Sequence, residues 1–68
     1  MAAMNVNNLF VNVFKDTLLG YVRVIQIGEG GNASERTCET LTSSEISILL
    51  NKEAKAWYKI GEYWYVVV

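Results

Sequence analysis

Residues 41–68, LTSSEISILLNKEAKAWYKIGEYWYVVV, hold a helix start, an apolar helical stripe and a hairpin in succession. Thr42-Ser43-Ser44-Glu45 fits the capping box. In that motif the threonine hydroxyl accepts from the glutamate amide, and the carboxylate accepts from the threonine amide. Leu41 and Ile46 occupy the two positions of a hydrophobic staple. Ile46, Leu49 and Leu50 then fall at i, i+3 and i+4, which is one face of a helix. The pattern predicts a helix from Ser43 to about Lys52–Ala54, with lysines near its negative pole.

Gly61-Glu62 divides two runs rich in aromatic and β-branched residues. Glycine takes φ > 0 at the first central position of a type II′ turn, and a two-residue loop fixes the register of the hairpin. Ile60 should therefore face Tyr63, Lys59 face Trp64, Tyr58 face Tyr65 and Trp57 face Val66. One face then carries Trp57, Lys59, Trp64, Val66 and Val68, and the other Ala56, Tyr58, Ile60, Tyr63, Tyr65 and Val67. A single short helix covers one face of a small sheet and not both. The tryptophan face, with Ile46, Leu49 and Leu50 on it, is the expected core, and Lys59 can snorkel out of that layer. The tyrosine face is left open. Tyrosine joins a large apolar body to a polar tip, which suits an interface.

Working back from this stretch, Glu35–Leu41 reads as a short edge strand. Leu9–Phe14 alternates at period two and reads as a strand. Lys15-Asp16-Thr17 is a turn, and a second strand runs from Leu18 or Tyr21 to Ile27. Its residues Val22, Val24 and Gln26 share one face, and Tyr21, Arg23, Ile25 and Ile27 the other. The expected fold is α+β in one domain over residues 1–68. It is a small antiparallel sheet of four or five strands with one short helix, in the order β-β-(β)-α-β-β.

Composition narrows the function. Sixty-eight residues bury only about 60% of the surface of the unfolded chain, so stability rests on dense packing or self-association. Cys38 is the only cysteine and histidine is absent, so no internal disulfide, metal site or cofactor is expected. The same absences remove the commonest general base and any Cys-His nucleophile pair. Cys38 reads as a small buried hydrophobe. Glu35 and Glu39, on one side of the expected strand, have nothing nearby to separate their pKa values. Gly28-Glu29-Gly30-Gly31-Asn32-Ala33 matches the dinucleotide pattern G-x-G-x-x-A. That site needs a helix next, and polar, strand-prone residues follow here. The chain is expected not to be an enzyme.

Six basic and seven acidic residues make no basic patch of the kind a phosphate-backbone binder carries. Met1–Phe14 lacks the basic start of a leader, and the longest apolar run, Tyr63–Val68, is too short to span a membrane. With one unpaired cysteine, a cytoplasmic location is expected, and the sequon at Asn32-Ala33-Ser34 carries no weight there.

A protein–protein binding module follows, expected to form a homodimer, with Tyr58, Tyr63, Tyr65 and Val67 as its contact residues. The terminal Val66-Val67-Val68 run, with little charge to guard an edge, adds to that expectation. Proline-free chains of this size suit inhibitors of host proteins made by phages and other mobile elements. The alternative is single-stranded nucleic-acid binding, with bases stacked on the tyrosines and Arg23, Lys55 and Lys59 near phosphates.

Overall fold

The structure, a computed structural model, describes residues 4–68, so the first three residues of the segment read above for a leader lie outside it. The C-terminal hairpin forms as its turn requires. Strands β3 (Ala56–Ile60) and β4 (Tyr63–Val67) flank Gly61, whose φ of 61° lies in the region glycine favours. The four expected residue pairs, Ile60↔Tyr63 to Trp57↔Val66, are all present.

β1 (Val22–Ile27) and β2 (Ala33–Thr37) make a second antiparallel hairpin, from Ile27↔Ala33 to Arg23↔Thr37. Its loop holds Gly30 and Gly31 at φ of 80° and 83° and closes with Gly28 N–H donating to the Asn32 carbonyl at 2.8 Å. The loop leads into a strand and not a helix, so the G-x-G-x-x-A match has no helix N-terminus behind it.

The two hairpins join through a parallel pairing of β1 with β4, Val22↔Trp64 to Ile25↔Val67. The strand order is β2-β1-β4-β3. The sheet is therefore mixed, where an antiparallel one was expected. This also places the valine-rich end of the chain inside the sheet. The edges of the sheet are β2 and β3, and β4, which carries Val66 and Val67, lies between strands.

The fold is α+β, with two helices among the described residues instead of one. Leu9–Phe14 is not a strand. Helix α1 spans Val6–Asn12, with Asn5 as its cap: the Asn8 amide donates to Asn5 Oδ1 at 2.9 Å. Val6, Leu9, Phe10 and Val13 fall at i, i+3, i+4 and i+7, a helical stripe that the shorter alternating window hides. Val6 and Leu9 are fully buried, and Phe10 and Val13 pack beside them. The turn after Thr37 is also tighter than a strand. Cys38–Thr40 is a single 3-10 turn, held by the Thr40 hydroxyl donating to the Thr37 carbonyl at 2.7 Å.

Helix α2 spans Ser43–Leu50 and ends before the expected Lys52–Ala54. Asn51 caps it, and the Lys52 carbonyl instead accepts from the Val6 amide at 2.9 Å, while Ala54 N–H donates to the Met4 carbonyl at 2.9 Å. Beyond Asn51 the backbone is therefore paired with Met4 and with Val6 at the start of α1 instead of continuing the helix. Its capping box is complete: Glu45 N–H donates to Thr42 Oγ1 at 3.2 Å, and Thr42 N–H to Glu45 Oε1 at 3.0 Å.

The cap supplies a testable energy. Thr42→Ala is expected to lower stability by about 0.5–2 kcal/mol, read as the urea midpoint. The Glu45 carboxyl is held below its ordinary value of 4.5 by the Thr42 amide and then by the Arg36 guanidinium. A depressed folded pKa means this contribution is complete above 4.5 and drains away as pH falls through the folded value. Glu45→Gln should flatten that acid limb of the stability–pH curve; an unaltered limb would assign it to other carboxylates.

Both helices lie on one face of the sheet. Val22, Val24 and Val66 from the strands meet Val6, Leu9 and Leu49 from the helices in one cluster with Phe14, Cys38 and Ala54. Trp64 faces this layer, its ring 4.9 Å from Phe14.

Candidate functional site: the open sheet face

Parity along each strand sets the composition of the other face. Val24 and Val66 point to the core and pair with each other, so Arg23, Ile25, Tyr65 and Val67 point away from it together. Tyr58 and Ile60 join them from β3, opposite Tyr65 and Tyr63, and Glu35 joins from β2, opposite Ile25. No element among the described residues covers this side. By strand spacing it is roughly 15 Å across. Tyr21, Ile27, Tyr58 and Ile60 are exposed, the last at 60%, and Tyr63, Tyr65 and Val67 are half-buried by their neighbours.

The aromatic rings are ordered. Tyr58 and Tyr65 stack with centroids 5.2 Å apart and planes 9° from parallel, as a cross-strand pair permits. Tyr21 tilts against Tyr63 at 5.3 Å. The Arg23 guanidinium lies 4.7 Å over the Tyr63 ring and donates to Glu35 at 2.9 Å. That bond to Glu35 is the main reason the Arg23 pKa stands above its ordinary value. The one cation and the one anion at the middle of the face therefore neutralise each other.

Tyr58, Tyr63, Tyr65 and Val67 thus lie together on the uncovered face. The three basic residues named for nucleic acid do not. Arg23 is on the tyrosine face and already paired. Lys59 is on the helix side, its ammonium 5.9 Å from the Trp64 ring centroid. Lys55 precedes β3, with its amide donating to the Val67 carbonyl at 2.7 Å.

Comparison of the chain with known protein families, curated proteins and solved structures found no match.

Elsewhere the chemistry is sparse. No group of three or more His, Cys, Asp or Glu residues able to hold a metal ion occurs among the described residues. None of their helices is long and apolar enough to cross a membrane. Glu35 and Glu39 do not share a strand side. Glu35 is bound to Arg23, and Glu39 lies in the 3-10 turn so close to Gly20 that a Cβ there would sit 2.5 Å from Glu39 Oε2. A cleft of about 190 Å³ between α2 and the sheet is floored by Val24 and Leu49, but its guanidinium, Arg36, is held by Glu45 and the Thr40 carbonyl.

Cys38 is 1% exposed, and burial pushes its thiol up to about 11. Since the thiolate is the reactive form, labelling of the folded protein at neutral pH should be slow and should accelerate only on unfolding. Equal rates with and without denaturant would contradict this placement.

Tyr21, Ile25 and Ile27 belong to the site but were not joined to it by sequence. Their shared parity with Arg23 is readable, yet only the parallel β1–β4 pairing says that this parity coincides with the tyrosine side.

Proposed function

We propose that the chain is a non-catalytic protein-binding module whose contact surface is the open tyrosine face. The observation that carries this reading is an ordered, partly exposed aromatic and aliphatic surface directly opposite the helical layer, with its central charges internally neutralised. Solvent-facing apolar surface of this kind on a small chain marks a partner site. A protein surface supplies apolar groups and hydrogen-bond partners for tyrosine hydroxyls. Single-stranded nucleic acid would find stacking rings but little positive charge to hold its phosphates, since Arg23 is spent on Glu35 and Lys59 is on the far side. Inhibition of a partner protein falls within the same reading, and so does a cytoplasmic location, which rests on the lone thiol.

Capture from the native host tests it with two charged variants. Tyr65→Glu, at the centre of the face, should abolish capture of a specific protein. Ile48→Glu, exposed on the helical layer at 62%, should leave it unchanged. Both should keep the parent circular dichroism. Capture that survives Tyr65→Glu would sink the proposal, as would tight, strongly salt-dependent retention of single-stranded DNA.

A further inference from the structure

The two edges of the sheet are guarded differently. β2 presents Ser34, Glu35 and Arg36, and a 3-10 turn follows it directly. β3 presents Ala56-Trp57-Tyr58-Lys59-Ile60, every residue exposed, with one charge and no proline. Edges of this second kind invite another strand.

The hairpin fixes which backbone groups are available. In a two-residue hairpin the residues flanking the turn exchange both hydrogen bonds, and the alternation continues along the ladder. Ile60↔Tyr63 and Tyr58↔Tyr65 are then the bonded pairs, so the amides and carbonyls of Trp57 and Lys59 point away from β4. The Lys55 amide turns inward to Val67, which ends the free edge.

We propose that β3 pairs antiparallel with β3 of a second copy, about a twofold axis at Tyr58. Charge selects this register over its neighbours. An axis at Lys59 sets two lysines opposite each other, and one at Trp57 sets Lys59 against the second copy's Lys55. The axis at Tyr58 sets Trp57 opposite the second copy's Lys59, a cation–π pair in each direction, with backbone groups that are free on both sides. It also packs Ala56 against Ile60, small against large, and brings Lys55 beside the Gly61-Glu62 turn of the other copy. A twofold interface needs such self-complementarity. Two five-residue edges bury less than a standard interface, so the dimer is reversible and concentration-dependent. It joins the two tyrosine faces into one surface across an eight-stranded sheet, while leaving that surface uncovered. The inference goes beyond the proposed binding face and does not depend on it.

Sedimentation equilibrium of the parent should show a monomer–dimer equilibrium. Lys59→Pro removes an outward amide without touching the β4 ladder and should give a folded monomer. Lys55→Glu or Glu62→Lys alone should weaken association by roughly tenfold at low salt, and the double variant should restore it. Lys55 and Glu62 stand at opposite ends of β3, so that restoration has to arise between copies. The charge-swap series decides the matter even if Lys59→Pro fails to fold. A strictly monomeric parent at its highest soluble concentration would overturn the proposal. So would a dimer unmoved by the edge variants yet lost in Tyr65→Glu, which would place the copies face to face instead.

Discussion

Replacing Phe14 with alanine is expected to remove roughly 3–5 kcal/mol of folding stability. Phe14 is 1% exposed, and it is where the N-terminal helix meets the sheet. Its ring stands edge-on to Phe10 at 5.5 Å and against Trp64 of β4 at 4.9 Å. Its amide donates to the Leu9 carbonyl at 2.7 Å, closing α1 just past its last turn. The ring therefore links two contacts far apart in sequence, and its loss leaves a cavity between layers that little else can fill. A chain of 68 residues has a total stability of about 3–10 kcal/mol, so the variant should be largely unfolded or melt far below the parent. Val11→Ala is the matched control, since Val11 is 60% exposed on the outer side of the same segment and should shift stability by no more than about 0.5 kcal/mol. Equal urea midpoints for the two variants would mean that α1 does not pack on the sheet.

The contrast between α1 and the C-terminal hairpin shows what was readable before the structure and why. Gly61-Glu62 fixes pairing locally: a two-residue turn permits one register, and that register assigns every side chain from Trp57 to Val66 to a face. The capping box at Thr42 is local too, and it forms. Leu9–Phe14 is apolar at five of six positions, so alternation and helical spacing both fit it. The deciding residues, Asn5 and Val6, lie upstream of the window that looked like a strand. Non-local pairing was not readable at all. Nothing between Val22 and Val67 marks β1 and β4 as parallel neighbours, and that one pairing sets β4 between two strands with Val66 buried, leaves β2 and β3 as the edges and merges the Arg23 side of β1 with the tyrosines. It also explains why the cations split. Lys59 follows the tryptophan parity wherever the sheet is joined, while the side that Arg23 takes depends on how β1 docks.

Leu49→Ala and Ile48→Ala should differ more than any other pair of neighbours in α2. The two are adjacent in sequence and both are large aliphatic residues, yet Leu49 is 3% exposed and Ile48 is 62% exposed. A helix turns about 100° per residue, so with Leu49 centred on the sheet Ile48 is carried round to solvent, while Leu50, on the other side, stays at the edge of the cluster. Leu49 sits in the central cluster with Val24 and Val66, where truncation costs about 2–5 kcal/mol from lost burial and an unfilled cavity. Ile48 lines the rim of the cleft beside α2, and alanine there removes little that water had not already reached. It also raises helix propensity, since a β-branched residue is replaced by the best helix former, so its net effect should lie within about 0.5 kcal/mol of zero. Leu50, half-buried at the edge of the cluster, should fall between them. Thermal melts of the three variants at one protein concentration give the order directly, with concentration held fixed because association would shift each midpoint. Any other order would mean that α2 is rotated about its axis relative to the sheet, and the capping box at Thr42 would then be orienting a different face toward the core.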